Sequence, residues 1–106
     1  RERRLKKGDT VTMGYVGKLQ DGSVFDQGKY VFEFGAGQVI TGDDIGLKGM
    51  RVGGKRKLVV PPALAYGSQG YPGSIPPDAT ITFDVSLLGL SQEQLSGGYK
   101  ASNDPD

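Results

Sequence analysis

The chain from Lys55 to Leu90 leaves few folds open. An extended run, Lys55 to Val60, puts Arg56, Leu58 and Val60 on one face and Lys55, Lys57 and Val59 on the other. It stops at Pro61-Pro62, whose nitrogens have no proton to give a sheet ladder. A short segment then presents Tyr66 ahead of Gly67. A loop over residues 68–78 follows, punctuated by Gly70, Pro72, Gly73, Pro76 and Pro77. The chain returns from Thr80 to Leu90 as the cleanest strand in the sequence. Ile81, Phe83, Val85 and Leu87 share one face, and Thr80, Thr82, Asp84 and Ser86 the other. Two such runs make a one-faced sheet, whose apolar side must be covered.

The first half supplies the remaining strands. Thr10 to Lys18 alternates, with Val11, Met13 and Tyr15 opposite Thr12, Gly14 and Val16. Gln20-Asp21-Gly22-Ser23 is turn chemistry. Val24-Phe25-Asp26 resumes extended structure, Gln27-Gly28-Lys29 reads as a connection, and Tyr30, Phe32 and Phe34 share a face of the next strand. After Gly35-Ala36-Gly37, Thr41 reads as an N-cap with Asp43 and Asp44 in the first turn of a short helix, closed by Gly49. Ile40, Ile45 and Leu47 are its apolar residues. The expected architecture is α+β: about five antiparallel strands in a curved half-barrel, wrapped around one short helix.

A chain of 106 residues holds one domain. The sequence divides into a basic arm at residues 1–7, a domain at 8–90 and a loose polar tail at 91–106. No apolar stretch approaches the roughly 20 residues of a membrane span. The lack of an initiator Met suggests a processed product or an excised piece. A soluble, intracellular protein is expected, in cytoplasm, nucleus or an organelle lumen, with no sign of a stable oligomer, so a monomer.

With no His and no Cys, thiol catalysis, disulfides and thiolate zinc sites are excluded. No cofactor and no metal is expected. Asp43 and Asp44 are adjacent near a helix start, where capping explains them better than paired acid–base work does. Gly53-Gly54-Lys55-Arg56 lacks the hydroxyl residue of a phosphate loop and leads into a strand. Lys55-Arg56-Lys57 reads as a solvated strand edge. The first seven residues carry +4 of a chain whose total is +1. They could touch nucleic acid or an anionic surface, although a solvated terminus, the end of a linker, explains them more simply.

What remains is a set of aromatic and aliphatic residues with a few polar groups: Tyr15, Phe25, Asp26, Tyr30, Phe32, Val39, Ile40, Tyr66, Tyr71, Ile75 and Phe83. Singly, each is ordinary core. Together they suit the lining of a cleft, because Tyr hydroxyls and an Asp need water or partners.

Several of these lie in motifs whose order resembles the FKBP-type peptidyl-prolyl isomerases, the immunophilins that bind tacrolimus and rapamycin. The motifs are Gly14-Tyr15-Val16-Gly17, Val24-Phe25-Asp26, Gly37-Gln38-Val39-Ile40, Gly49 to Arg56, Ala65-Tyr66-Gly67, Ile75-Pro76-Pro77 and Phe83-Asp84-Val85. The likeness covers roughly Lys7 to Leu90. It implies the same half-barrel and a rotation of X–Pro bonds that needs no nucleophile. Asp26, Tyr66, Phe25 and Phe83 would carry the catalysis. Tyr15, Tyr30, Val39, Ile40 and Ile75 would line the substrate pocket, with Tyr71 at the loop tip over its mouth. Partners would be proline-containing peptides or proteins, and macrolides of the tacrolimus type.

The sequence departs from the family pattern twice. Asp43 stands where the family usually carries Trp or another large apolar residue at the pocket floor. A carboxylate there either turns away or leaves a wetter, weaker pocket. The link from Asp26 to Tyr30 is also shorter than in many members. Three functions compete: an isomerase, a catalytically weak domain of the same fold that binds a proline-containing partner, and an accessory domain for nucleic acid or chromatin. A chaperone role could overlay any of them.

Overall fold

The computed structural model describes residues 3–91, so nearly all of the tail expected at 91–106 lies outside the described residues. The elements are β1 (Thr10–Lys18), β2 (Val24–Glu33), α1 (Thr41–Gly46), β3 (Lys55–Val60), a 3-10 turn (Pro62–Leu64) and β4 (Ile81–Ser91). The strands form one antiparallel sheet in the order β2-β1-β4-β3. Four strands appear where five were expected, because Gln27-Gly28-Lys29 continues β2 instead of interrupting it. Gly28 pairs with Tyr15, at a φ of 150° that suits a residue without a side chain.

Chain order and spatial order together position the helix. β2 and β3 are the two edges of the sheet, so the segment joining them must cross one face from side to side. α1 lies on that crossing and packs near β3. A Cβ on Gly42 would collide with Val60 Cγ1 and stand 3.2 Å from the Leu64 carbonyl oxygen, so the missing side chain is what lets the helix sit this close. The Arg56 guanidinium donates to the carbonyls of Gly46 and Lys48 at 2.8 and 2.7 Å. It therefore satisfies the end of the helix and is not simply part of a solvated edge.

The inward face of β4 is as expected: Ile81, Phe83, Val85 and Leu87 are all buried. They pack with Val11 and Met13 of β1, Phe32, Leu47 and Val60. The alternation continues along β3, where Val60 is buried and Val59 exposed.

Two local expectations change. Thr41 is the first helical residue and not the cap. The chain enters the helix at Ile40 in an extended conformation, and the Ile40 carbonyl accepts from the N–H groups of Asp43 and Asp44 at 2.9 and 3.3 Å. The described part of the basic arm also belongs to the fold. Leu5 is 6% exposed, its N–H donates to the Met50 carbonyl at 2.8 Å, and the Arg4 backbone pairs with that of Arg51 in an isolated antiparallel β-bridge. Arg3 donates through both guanidinium nitrogens to Asp9, at 2.8 and 3.0 Å. The Lys6 N–H donates to the same carboxylate at 2.8 Å. Burial pulls the Asp9 carboxyl up, but these bonds outweigh it and hold it below the usual range. The physical reason is Leu5, an apolar side chain that gains by covering the core.

Candidate functional site

A cavity of about 410 Å³ opens between the sheet and the start of α1. β1 supplies Met13 and Tyr15 from one face, two residues apart as strand periodicity requires. β4 supplies Phe83, the residue before α1 is Ile40, and Tyr66 follows the 3-10 turn. Val39, Gly37 and Gln38 close one side, with Tyr30 from β2.

Phe25 and Asp26 both line this cavity although they are neighbours on a strand. Regular alternation would send one of them to the opposite face. The β1–β2 ladder resolves this. Gly17 pairs with Asp26 and Lys18 with Val24, so Phe25 is passed over. That bulge turns consecutive side chains toward one space. Gly17 makes room beneath: a Cβ there would stand 2.7 Å from both Phe25 Cζ and Phe83 Cε1. Phe83 packs edge-on against Phe25 and Tyr15, with ring centroids 5.7 and 6.2 Å apart.

The polar groups are few. The Tyr15 hydroxyl donates to Asp26 Oδ2 at 2.9 Å, and the Gln27 N–H donates to Asp26 Oδ1 at 2.9 Å. The bond to Asp26 holds the Tyr15 phenol above its ordinary range, with burial adding to it. Burial raises the Tyr66 phenol, and the carboxylates of Asp43 and Asp26 raise it further. The Gln38 amide accepts from the Glu33 N–H at 2.9 Å, which fastens the loop beside the opening.

Asp43 does not turn away. It lines the cavity and is 6% exposed. Its Oδ1 is buried with no hydrogen-bond partner among the described residues. Burial, with help from the neighbouring Asp44 charge, pushes its carboxyl up to about 6.

Of the eleven residues singled out in the sequence, Tyr15, Phe25, Asp26, Tyr30, Val39, Ile40, Tyr66 and Phe83 meet in this cavity, while Phe32 is buried in the core instead. Tyr71 and Ile75 line an adjoining cavity of about 430 Å³ that shares Phe25, Asp26 and Tyr66 with the first. Tyr71 is 59% exposed and meets Tyr66 edge-on at 6.0 Å. The residues that sequence reasoning missed are Met13, Gly37 and Gln38. Met13 carried a usable signal, since it shares a strand face with Tyr15.

The chain matches the family model of the FKBP-type peptidyl-prolyl cis-trans isomerases over residues 1–88. It is 54% identical over 90 residues to FK506-binding protein 4 of Neurospora crassa, which covers 81% of this chain and 19% of that protein. It is 50% identical over 93 residues to peptidyl-prolyl cis-trans isomerase FKBP53 of Arabidopsis thaliana, covering 83% and 20%. With FK506-binding protein 2 of Yarrowia lipolytica it shares 48% identity over 95 residues, covering 85% and 66%. The chain thus spans about a fifth of the length of the first two relatives. The crystal structure of AtFKBP13 superposes with a TM-score of 0.79 at 36% identity, covering 85% of each chain. Among the described residues, no helix is long and apolar enough to cross a membrane.

Proposed function

This chain belongs to the FKBP-type peptidyl-prolyl cis-trans isomerase family, and on that footing we propose that it accelerates rotation about X–Pro bonds in protein substrates. The observation that carries the reading is the convergence on one aromatic cavity of eight residues that the sequence offered as a set. The chemistry needs nothing more reactive than those side chains.

Rotation about the amide is slow because it breaks C–N resonance, a barrier of about 18–20 kcal/mol. The planar amide owes part of its stability to a charge-separated resonance form, which the twisted amide has lost. An apolar cavity solvates the planar form less well than water does, so it favours the twisted form by comparison. That is differential binding without a covalent step. Each ~1.4 kcal/mol of such preference is worth about tenfold in rate.

In this scheme Phe25, Val39, Ile40 and Phe83 hold the proline ring. Tyr66 donates its hydroxyl to a substrate carbonyl; a phenol keeps its proton at neutral pH, and burial raises its pKa further. Asp26, gripped by Tyr15 and the Gln27 N–H, polarises the amide region. The backbone N–H of Ile40 offers a second donor. Tyr30, Tyr71 and Ile75 border the chain on either side of the proline. Macrolides of the tacrolimus type would compete for the same walls.

The test is the relaxation of a short X–Pro peptide from cis to trans, with and without the protein, and with rapamycin as competitor. Rapamycin-sensitive acceleration is the expected result. Folded protein without acceleration would favour a second reading, a domain that binds proline-containing partners without useful catalysis. Asp43 is what supports that reading, because a charged, unpartnered floor weakens the hold on an apolar ring.

A further inference from the structure

We propose that the cavity also binds alkylammonium groups, protonated or methylated amines such as a peptide side chain carries, with Asp43 as the anion at its base. Four observations converge on this. Asp43 is more than nine-tenths buried and lines the cavity, and among the described residues its Oδ1 has no hydrogen-bond partner. A second carboxylate, Asp26, stands on the same cavity. Among the described residues no Lys or Arg lines it, and their ion pairs, Arg3–Asp9 and Lys18–Asp84, leave both carboxylates free of a cation. The remaining walls include five rings: Tyr15, Phe25, Tyr30, Tyr66 and Phe83.

A buried carboxylate without a partner is costly, and an occupant that brings positive charge relieves that cost. A proline ring brings neither charge nor a donor to this depth. Aromatic rings attract cations through their electron-rich faces, most strongly where water is excluded. A methylated ammonium is weakly hydrated and apolar at its rim, so it suits rings and a carboxylate together. A hard metal ion suits this site poorly, because it requires several oxygen ligands. No group of three or more His, Cys, Asp or Glu gathers among the described residues.

The proposal uses the cavity but does not rest on the isomerase reading, and the two can fail separately. The test compares choline with 3,3-dimethylbutan-1-ol, its uncharged isostere, titrated into the wild-type protein and followed by NMR. Choline is expected to bind at least about tenfold more tightly, a difference of ~1.4 kcal/mol. It should shift the ring resonances of Tyr15, Phe25 and Tyr66. Asp43→Asn should weaken choline about tenfold and leave the neutral isostere unchanged. Equal affinities in the wild-type protein, or no saturable shift with choline, would overturn the proposal. That comparison does not depend on how any variant folds. X–Pro relaxation is read in a separate experiment, so the failure of one reading is not mistaken for failure of the other.

Discussion

Tyr15 reaches diagonally across the β1–β2 ladder to Asp26, its hydroxyl 2.9 Å from Oδ2, while the residue paired with Asp26 is Gly17. Regular alternation makes this reach possible: Tyr15 pairs with Gly28 and Gly17 with Asp26, so Asp26 shares the face that Tyr15 occupies, and the bulge adds Phe25 to it. The bond fixes the carboxylate that, in the proposed mechanism, polarises the substrate. Tyr15→Phe keeps the ring and removes the donor. A single hydrogen bond of this kind contributes about 1 kcal/mol. The expected loss in kcat/KM for X–Pro peptides is therefore about three- to tenfold. Unchanged kinetics would mean that the Gln27 N–H alone orients Asp26.

Gly17 is the second lever on the site, because both phenylalanine rings occupy the space its side chain would need. Gly17→Ala must displace Phe25 or Phe83, and Phe83 is buried in the core. Overpacking of this kind costs about 1–3 kcal/mol. Urea unfolding should show that loss as a lower midpoint at unchanged slope. Rapamycin affinity should fall with it, since the displaced rings are the walls of the cavity. A variant of wild-type stability would mean that the rings have room to yield.

Asp43 should make stability fall as pH rises. Its carboxyl sits at about 6 in the folded chain, against an ordinary value of 3.8. Between those values the folded protein holds a proton that the unfolded chain has released. Below the window the burden is absent, and above it the burden is complete, at roughly 3 kcal/mol. Asp43→Asn has no such titration, while Asp9 titrates alike in both proteins. Stability of the variant relative to wild type should therefore climb from about pH 4 to about pH 6.5 and then level off. A flat difference across that window would show that Asp43 does not titrate in the folded state as its burial implies.

The strands were legible because alternation is a local signal. Ile81, Phe83, Val85 and Leu87 are buried as their spacing requires. Most of the cavity was legible too, although through motif order more than through any single residue. The bulge at Phe25 was not, since passing over one residue depends on the partner strand and leaves no trace in composition. The helix cap was misread for a related reason. Thr41 has the right chemistry, but the path of the chain across the sheet already delivers Ile40 in the extended conformation that starts the helix. Asp43 was visible as an oddity. Its burial without a partner was not, because that depends on what α1 packs against.

The segment before β1 supplies the last test. Its five basic residues suggest an arm in water, yet Leu5 is buried and its N–H is bonded to Met50. If residues 3–9 are part of the folded unit, Leu5→Ala should cost about 2–5 kcal/mol, the usual range for deleting a buried leucine. An exposed position would register within about 0.5 kcal/mol. Asp9 offers an independent check with the opposite pH sign to Asp43. Its carboxyl is held below the usual range, so its contribution is present above the ordinary carboxylate value and lost as pH falls through the folded one. Asp9→Asn should therefore destabilise the protein at pH 7 and approach wild-type stability in acid. Urea unfolding of both variants at two pH values reads the two effects separately. Losses within about 0.5 kcal/mol at both positions would return the segment to solvent and restore the basic arm as a surface available to an anionic partner.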